Sequence, residues 1–316
     1  MRKDDVISIS TVGGNSPTRK YYDKKGSTSS LNKSPVHGLW ALTNRELKKW
    51  YKAPILLFMS LIQPVIWLSL YGKAFNFGTL FASGALNIPG LNIPKDVLNS
   101  LAGQITQGTF GTSDYFSFLA IGMLSFVVLF TAMFSGMSIV WDRRFGFLNK
   151  VLSTPVSRGS VVMAKVLSSV LRSLAQASIV LIIAVILGIQ LTSLTAVGLA
   201  GTFAALFLMS LGLSSLFVML ALRSSDWQSQ MAIMNLLNLP LLFASNTLFP
   251  AKFMPEWLQI IVRINPISYG TDVGRQLLLG TAGLNSIGYD FEYLAGFAAL
   301  FAGTGIVLSW RLLSKK

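Results

Sequence analysis

Long apolar stretches are the feature that most constrains how this 316-residue chain can fold. Runs of roughly 18 to 25 mostly apolar residues recur along it, and each is long enough to cross about 30 Å of hydrocarbon as a helix. The composition agrees, because 52% of the residues are hydrophobic and only 12% are charged. A soluble domain carries about twice that charged fraction. The sequence therefore predicts an all-α polytopic membrane protein.

Six transmembrane helices are predicted from the lengths of these runs and the charges between them. We place the spans at residues 54–73, 117–140, 161–187, 196–221, 230–250 and 293–313. Most of the 26 Lys and Arg residues then fall in alternate connections, namely the segment before the first span, region 142–165, Arg223 and the C-terminal tail. By the positive-inside rule these connections and both termini are cytosolic. We expect a multi-pass protein of the cell (plasma) membrane.

Residues 1–35 differ from the rest of the chain, since they are rich in Ser, Thr, Lys and Gly with almost no apolar periodicity. That composition predicts a disordered basic cytosolic tail, with the transmembrane domain occupying 36–316. Most of the Lys and Arg residues behind the net charge of +14 lie in the connections predicted to be cytosolic, not over a soluble surface. We therefore expect membrane lipids, and no nucleic acid, as partners.

A helix lying in the headgroup plane is predicted just before the first span. Trp40, Leu47 and Tyr51 recur at spacings of seven and four residues, while Arg45 and its neighbouring lysines form a basic face. An amphipathic segment of this kind binds at the membrane interface without crossing it. We therefore predict an N-terminal interfacial helix.

Segment 142–158 is basic and amphipathic, and it lies between two apolar runs. Phe145, Leu148 and Leu152 fall at i, i+3 and i+7, which places them on one side of a short helix that Pro155 ends. Two interpretations fit this pattern. The helix docks into a groove on a soluble partner, or the segment is an ordinary interfacial loop whose arginines reach the headgroups.

Segment 251–275 is predicted to form short helices that do not span the membrane, because Pro255 begins a helix and Asn265-Pro266 breaks it. Non-spanning backbone survives at membrane depth only where protein or water covers it, which suits an outer gate. The alternative is a pair of interfacial anchors, with Trp257 and Tyr269 at headgroup level.

Polar residues inside the predicted spans are candidates for a transport path or gate. They are Arg172, Gln176, Asn235, Asn238 and Asn246. A cation near the membrane core costs about 3 kcal/mol on insertion scales, so Arg172 faces a cavity or a partner, or else extends toward the headgroups. Buried amides also serve to join neighbouring helices, and the sequence leaves both roles open.

Several classes of protein are disfavoured by what the sequence lacks. It has no Cys and a single histidine, His37, and every Asp and Glu lies outside the predicted spans. Proton-coupled transport and acid-base catalysis within the membrane normally need such groups. No G-x-x-x-x-G-K-[ST] motif occurs either, so the chain has no P-loop for a nucleotide. We expect neither an enzyme nor a bound cofactor or metal.

Two separated motifs resemble those of type-2 ATP-binding-cassette (ABC) transporter permeases, in particular the drug-resistance and nodulation-exporter branch. The first is the run from Asp142 to Leu148 followed by Leu152-Ser153-Thr154-Pro155-Val156-Ser157-Arg158. The second joins Leu248-Phe249-Pro250, the run 254–259, Asn265-Pro266-Ile267-Ser268-Tyr269, and Asp272 with Arg275. The resemblance covers about 40–316. One departure is Arg144, where many members of that family carry glutamate.

The resemblance implies a permease that pairs with a second copy and takes energy from separate ATPase subunits, which would bind ATP and Mg²⁺. It also implies a coupling helix carrying Phe145, Gly146, Leu148, Leu152, Pro155 and Arg158, and re-entrant helices before the last span. Export of a hydrophobic, drug-like or lipid-like substrate is the expected function. A permease for polysaccharide or lipid-linked glycan is the alternative within the family, and a non-transporting membrane assembly subunit is the alternative outside it.

Overall fold

The computed structural model describes residues 35–74, 94–112, 114–154, 156–224 and 226–313. The predicted tail lies outside these residues except for Pro35, and so do Pro155 and residues 75–93. Within the described ranges every regular element is a helix. The predicted all-α class is confirmed for this part of the chain.

Eleven α-helices account for the described elements, together with a short 3₁₀ turn at Ala251–Phe253. They are α1 Pro35–Tyr51, α2 Pro54–Ala74, α3 Lys95–Phe110, α4 Tyr115–Arg144, α5 Phe147–Leu152, α6 Arg158–Ile186, α7 Ala196–Arg223, α8 Trp227–Phe243, α9 Glu256–Ile264, α10 Pro266–Leu279 and α11 Ile287–Leu313.

Helix starts follow local capping chemistry. Asp114, Ser157, Thr195 and Asp226 each precede a long helix, and each side-chain oxygen accepts a hydrogen bond from the backbone N–H three residues later. Such a cap satisfies one of the donors that a helix leaves free at its N-terminus. These residues therefore fix where α4, α6, α7 and α8 begin.

Within the described ranges, four helices are long and apolar enough to cross a membrane, namely α6, α7, α11 and the helix that ends at Arg144. These helices overlap the spans predicted at 117–140, 161–187, 196–221 and 293–313. The apolar part of α2 is shorter. Helix α8 ends at Phe243 and is followed by turns, so it stops short of the end predicted at residue 250.

Helix ends meet at two opposite rims of the bundle. At one, the basic rim, Trp141 of α4 stacks on Trp227 of α8 with ring centroids 5.2 Å apart. At the other, the outer rim, the Tyr115 hydroxyl donates to the backbone oxygen of Leu248 at 3.3 Å. Helix α4 therefore runs from the outer rim to the basic rim, and α8 runs back. Helix α6 pairs antiparallel with both α4 and α7 through interhelical hydrogen bonds, so consecutive long helices from α4 to α8 alternate in direction.

Small and hydroxyl side chains let the helices pack closely in the interior. Ser169 of α6 bonds Ser214 of α7 at 2.8 Å, and Ser173 bonds Ser210 at the same distance. At Gly136 an added Cβ would lie 2.6 Å from the backbone oxygen of Phe217. Close backbone approach and interhelical hydroxyl bonds are typical of helix packing in membranes.

Candidate functional site

The connection between α4 and α6 lies at the basic rim and presents an exposed aromatic side chain. Helix α4 ends at Arg144, Phe145 follows as its C-cap, and Gly146 turns the chain with a φ of 69°. That left-handed conformation is one that glycine adopts without steric cost. The Phe145 side chain is 77% exposed. The turn therefore projects a large apolar group away from the bundle.

The short helix α5 differs from the predicted one, because it begins at Phe147 and leaves Phe145 in the preceding turn. Phe145 and Leu148 consequently do not share one helical face. Leu148 is buried with Val151 in an apolar cluster formed with α4, α6 and α7. Leu148 thus holds α5 against the bundle, whereas Phe145 is free to contact a partner. The Leu152 side chain is not among those described.

Helix α1 also contacts α5, on a side different from the one that packs in the apolar cluster. The Arg45 guanidinium lies over the Phe147 ring, with 3.4 Å from Cζ to the ring centroid, and Lys49 Nζ is 5.4 Å from the same centroid. A cation over an aromatic face is attracted by the ring quadrupole. Contacts on two sides make α5 a rigid extension of the bundle.

A group of charged side chains joins α1, α4 and α6 directly behind this turn. Lys165 Nζ of α6 lies 3.1 Å from Glu46 Oε1 of α1 and 2.5 Å from Asp142 Oδ2 of α4. Both contacts are ion pairs. Lys49 Nζ completes the group at 3.0 Å from Glu46 and 3.5 Å from Asp142. We call these four residues the charge cluster.

Burial makes the charge cluster energetically important. The side chains of Lys165, Glu46 and Asp142 are only 7%, 8% and 14% exposed, respectively. Burial alone would raise the pKa of Glu46, but attraction first by Lys165 and then by Lys49 holds this pKa below its usual value. The carboxylate is therefore ionised at neutral pH.

The end of α4 is also tied to the connection between α7 and α8. Arg143 donates from Nη1 to the backbone oxygen of Ser224 at 2.7 Å and from Nη2 to that of Leu222 at 3.1 Å. A cation that binds the last carbonyls of a helix satisfies acceptors that would otherwise be free. The connection at 145–146 is thus braced by α1, α6 and α7 together.

Sequence reasoning missed the charge cluster. It treated Lys165 as a cytosolic cation and read α1 only as an amphipathic helix. A signal was present, because Glu46 is a single acid among the cations of α1 and Asp142 directly precedes two arginines. The residue predicted at the edge of the site, Arg158, is the first residue of α6 and is half-buried.

The predicted path residues on α6 have neighbours within the chain. Gln176 is buried, accepts a 2.5 Å hydrogen bond from Thr131 of α4 and donates one of the same length to Ser60 of α2. Gln176 therefore joins three helices. Arg172 donates from Nε to the backbone oxygen of Ser168, one turn closer to the basic rim. The Arg172 side chain therefore lies along α6 in the direction of the basic rim.

The three predicted asparagines lie in different environments. Asn235 is exposed on α8, while Asn238 is buried. Asn246 follows the end of α8, and its side-chain oxygen accepts from the backbone N–H of Ala251 at 3.2 Å. The structure does not bring these residues together with Arg172 and Gln176 into one site.

The outer rim is organised around a buried arginine. Arg275 of α10 is 2% exposed and donates to the backbone oxygens of Phe118, Asn246 and Thr247. Its Cζ also lies 3.4 Å from the centroid of the Phe118 ring. The guanidinium thus joins α10 to the start of α4 and to the turn after α8.

The two aromatic residues singled out in segment 251–275 differ in exposure. Trp257 on α9 is exposed, whereas Tyr269 on α10 is buried. Tyr269 stacks on Tyr293 of α11 with centroids 4.0 Å apart, and its hydroxyl donates to the backbone oxygen of Arg263. Tyr269 therefore fixes α9 and α10 to the last helix, and Trp257 remains available for lipid or a partner.

Comparison with known proteins agrees with this geometry. Residues 37–279 match the family described as ABC-2 type transporter. The chain is 32% identical over 235 residues to the transport permease ycf38 of Cyanophora paradoxa, covering 74% of this chain and 71% of that one. It is 28% identical over 251 residues to ycf38 of Pyropia yezoensis, covering 79% and 77%. It is 26% identical over 191 residues to the daunorubicin resistance ABC transporter permease protein DrrB1 of Streptomyces coeruleorubidus, covering 60% and 67%.

A bundle of apolar helices of spanning length is typical of a multi-pass membrane protein. The chain belongs to the ABC-2 type transporter family. The predicted family is confirmed, and with it the general role of a transport permease.

Proposed function

We propose that this chain is the permease subunit of an ATP-driven exporter, with ATP hydrolysis on a separate ABC ATPase that docks at the Phe145 turn. The proposal rests on two features together. The Phe145 side chain is exposed, and the turn that carries it is held in place by α1, α6 and α7. Large aromatic side chains surrounded by other contacts are typical anchors of protein interfaces. The family normally works with such ATPase subunits, which supports this partner.

The bracing of the turn provides a route for mechanical coupling. A force on Phe145 acts on α4 directly and on α5 through Gly146, and the buried Leu148 transmits it to α6 and α7. The charge cluster obliges α1 to move with α4 and α6. Closure of the ATPases would therefore move these helices as one body, as in other rigid-body transitions.

We infer a six-span topology from the alternating helix directions, with α2, α4, α6, α7, α8 and α11 crossing the plasma membrane. Both termini would then be cytosolic, and the basic rim would face the cytosol as the positive-inside rule requires. Helices α9 and α10 would re-enter from the outside. The burial of α10 supports this placement, because its backbone is covered by protein rather than lipid.

Hydrophobic, drug-like or lipid-like molecules are the cargo that we propose. The similarity of this chain to the permease named for daunorubicin resistance supports this proposal. The path would lie between this chain and a second permease copy. Bound ATP and Mg²⁺ would belong to the ATPase, since the sequence contains no P-loop motif.

Substituting Phe145→Asp tests the docking proposal. The change adds a charge at an exposed turn and removes the proposed anchor, so we expect ATPase association to weaken by at least about tenfold. The chain should be purified with its candidate ATPase, and both co-purification and stimulated ATP hydrolysis should be measured. Thermal unfolding of the permease alone should be unchanged.

Phe253→Asp is the matched control, because Phe253 is 62% exposed at the outer rim and far from the proposed docking face along α4. We expect this variant to bind the ATPase like wild type. Normal hydrolysis in the Phe145→Asp complex would contradict the proposed site. Failure of any ABC ATPase to associate with the wild-type chain would favour a non-transporting assembly subunit.

A further inference from the structure

Two buried carboxyl groups meet at the outer rim, where α10 is joined to the last helix. Asp272 of α10 is 3% exposed and Asp290 of α11 is fully buried. The Gln276 side-chain nitrogen donates to both, at 3.3 Å to Asp272 Oδ2 and 3.1 Å to Asp290 Oδ2. We call Asp272 and Asp290 the acid pair. The family assignment and the proposed docking site give the pair no role.

The acid pair has few partners for two negative charges. Asp272 Oδ2 also accepts from the backbone N–H of Leu284 at 2.6 Å, but Asp290 Oδ1 is buried without a hydrogen-bond partner among the described residues. Arg275 is close along α10, yet its donors bind backbone oxygens. An isolated ionised carboxylate in such surroundings is costly, and two facing carboxylates cannot both ionise readily.

Other ionisable groups around the acid pair do not supply a positive charge. Tyr269 on α10 and Tyr289 and Tyr293 on α11 form an aromatic group beside it, and a phenol carries no positive charge in either protonation state. Glu292 on α11 is exposed and cannot supply a positive charge either. Arg275 attracts Asp272 and offsets one of the two negative charges, so the second must be offset by a proton or a bound cation.

The residues around the pair suit a proton better than a metal ion. The segment 280–286 packs over the pair, and a Cβ added to Gly283 would lie 2.0 Å from the Gln276 nitrogen and 2.8 Å from Asp272 Oδ2. Gln276 donates to Oδ2 of each carboxyl and leaves Asp290 Oδ1 without a partner among the described residues. An oxygen-coordinated cation needs several ligands at once, and no group of three acidic or histidine side chains that could hold a metal ion occurs in the described part of the chain, whereas a proton needs only the two carboxyls.

We propose that Asp272 and Asp290 share one proton and form a pH-sensitive latch between α10 and the last helix. In the protonated state one carboxyl donates to the other oxygens, and the segment 280–286 stays closed. Loss of the proton leaves one negative charge on Asp272 and one on Asp290, on opposite sides of the Gln276 amide. Their repulsion then separates the start of α11 from α10.

The thermal stability of the full-length protein in detergent, followed from pH 6 to pH 8.5, tests the latch. The folded state holds a proton that the unfolded chain releases near pH 4, so stability is full at low pH and falls as pH rises. We expect the Tm of wild type to drop by about 3–6 °C over this range. Asp290→Asn should flatten the curve, because an amide mimics the neutral carboxyl, and its Tm at pH 8.5 should equal or exceed that of wild type.

Glu292→Gln is the matched control, since it removes a charge from the same helix at an exposed position, and its curve should follow that of wild type. Parallel curves for wild type and Asp290→Asn would overturn the proposal. A Tm that rises with added Ca²⁺ at fixed pH, without a pH dependence, would overturn it in favour of a cation site. These measurements use the permease without an ATPase, so the latch proposal and the docking proposal can each be rejected while the other stands.

Discussion

Replacing Lys165 with Met is expected to destabilise the protein by about 3–5 kcal/mol, the usual cost of removing one partner from a buried ion pair. The variant would leave Glu46 and Asp142 facing each other with only the partly exposed Lys49 and Arg45 nearby. Because the charge cluster joins α1, α4 and α6, the loss should also uncouple α1 from the docking turn. Thermal unfolding of the purified permease and ATP hydrolysis by its complex would measure the two effects.

Two further variants separate a buried ion pair from a general packing defect. Adding Glu46→Gln to Lys165→Met removes an uncompensated carboxylate, so the double variant should be more stable than Lys165→Met alone. Lys49→Met should cost less than about 1 kcal/mol, since its side chain is 46% exposed and such pairs are worth little. An additive double variant would contradict the proposed coupling between Lys165 and Glu46.

Replacing Arg275 with Met is expected to be similarly damaging at the outer rim. The side chain keeps much of its volume, but the backbone oxygens of Phe118, Asn246 and Thr247 lose their donor. A buried acceptor left without a partner costs about 1–3 kcal/mol, so we expect a loss of about 3–5 kcal/mol and a Tm lower by about 10 °C.

Arg263→Met provides the comparison, because Arg263 belongs to the same outer segment and is exposed. Its Tm should stay within about 2 °C of wild type, as for most surface substitutions. Equal losses in the Arg263 and Arg275 variants would show that positive charge at the outer rim matters rather than the carbonyl contacts. Retained stability in Arg275→Met would contradict the buried network.

The long helices could be predicted from sequence because their signals are local. An apolar run of sufficient length defines α6 or α7, and Ser157 and Thr195 mark their starts. The end of α8 could not be predicted in this way, because the apolar run continues past Phe243 to residue 250 although the helix does not. The turn there depends on Arg275, which binds the oxygens of Asn246 and Thr247 from a distant helix.

The position of the proposed docking turn could be predicted from the sequence, but its local geometry could not. The spacing of Phe145, Leu148 and Leu152 fits one helical face, but the positive φ of Gly146 ends that face after Phe145. The contacts that brace the turn join residues far apart in the sequence, such as Glu46 with Lys165 and Arg143 with Ser224. Periodicity within a segment carries no information about such pairs, so only the folded chain reveals them.

Site-specific cross-linking from residue 144 tests the central claim most directly. Arg144 is exposed next to Phe145, so its replacement leaves the proposed anchor in place. The sequence has no cysteine, so Arg144→Cys is a unique attachment point for a photoreactive maleimide without further engineering. Membranes that contain the labelled chain and its candidate ABC ATPase should be irradiated, with Phe253→Cys as the control from the outer rim. Docking of the ATPase at the Phe145 turn predicts a cross-link from residue 144 and none from residue 253. No cross-link from residue 144, or an equal one from residue 253, would contradict it.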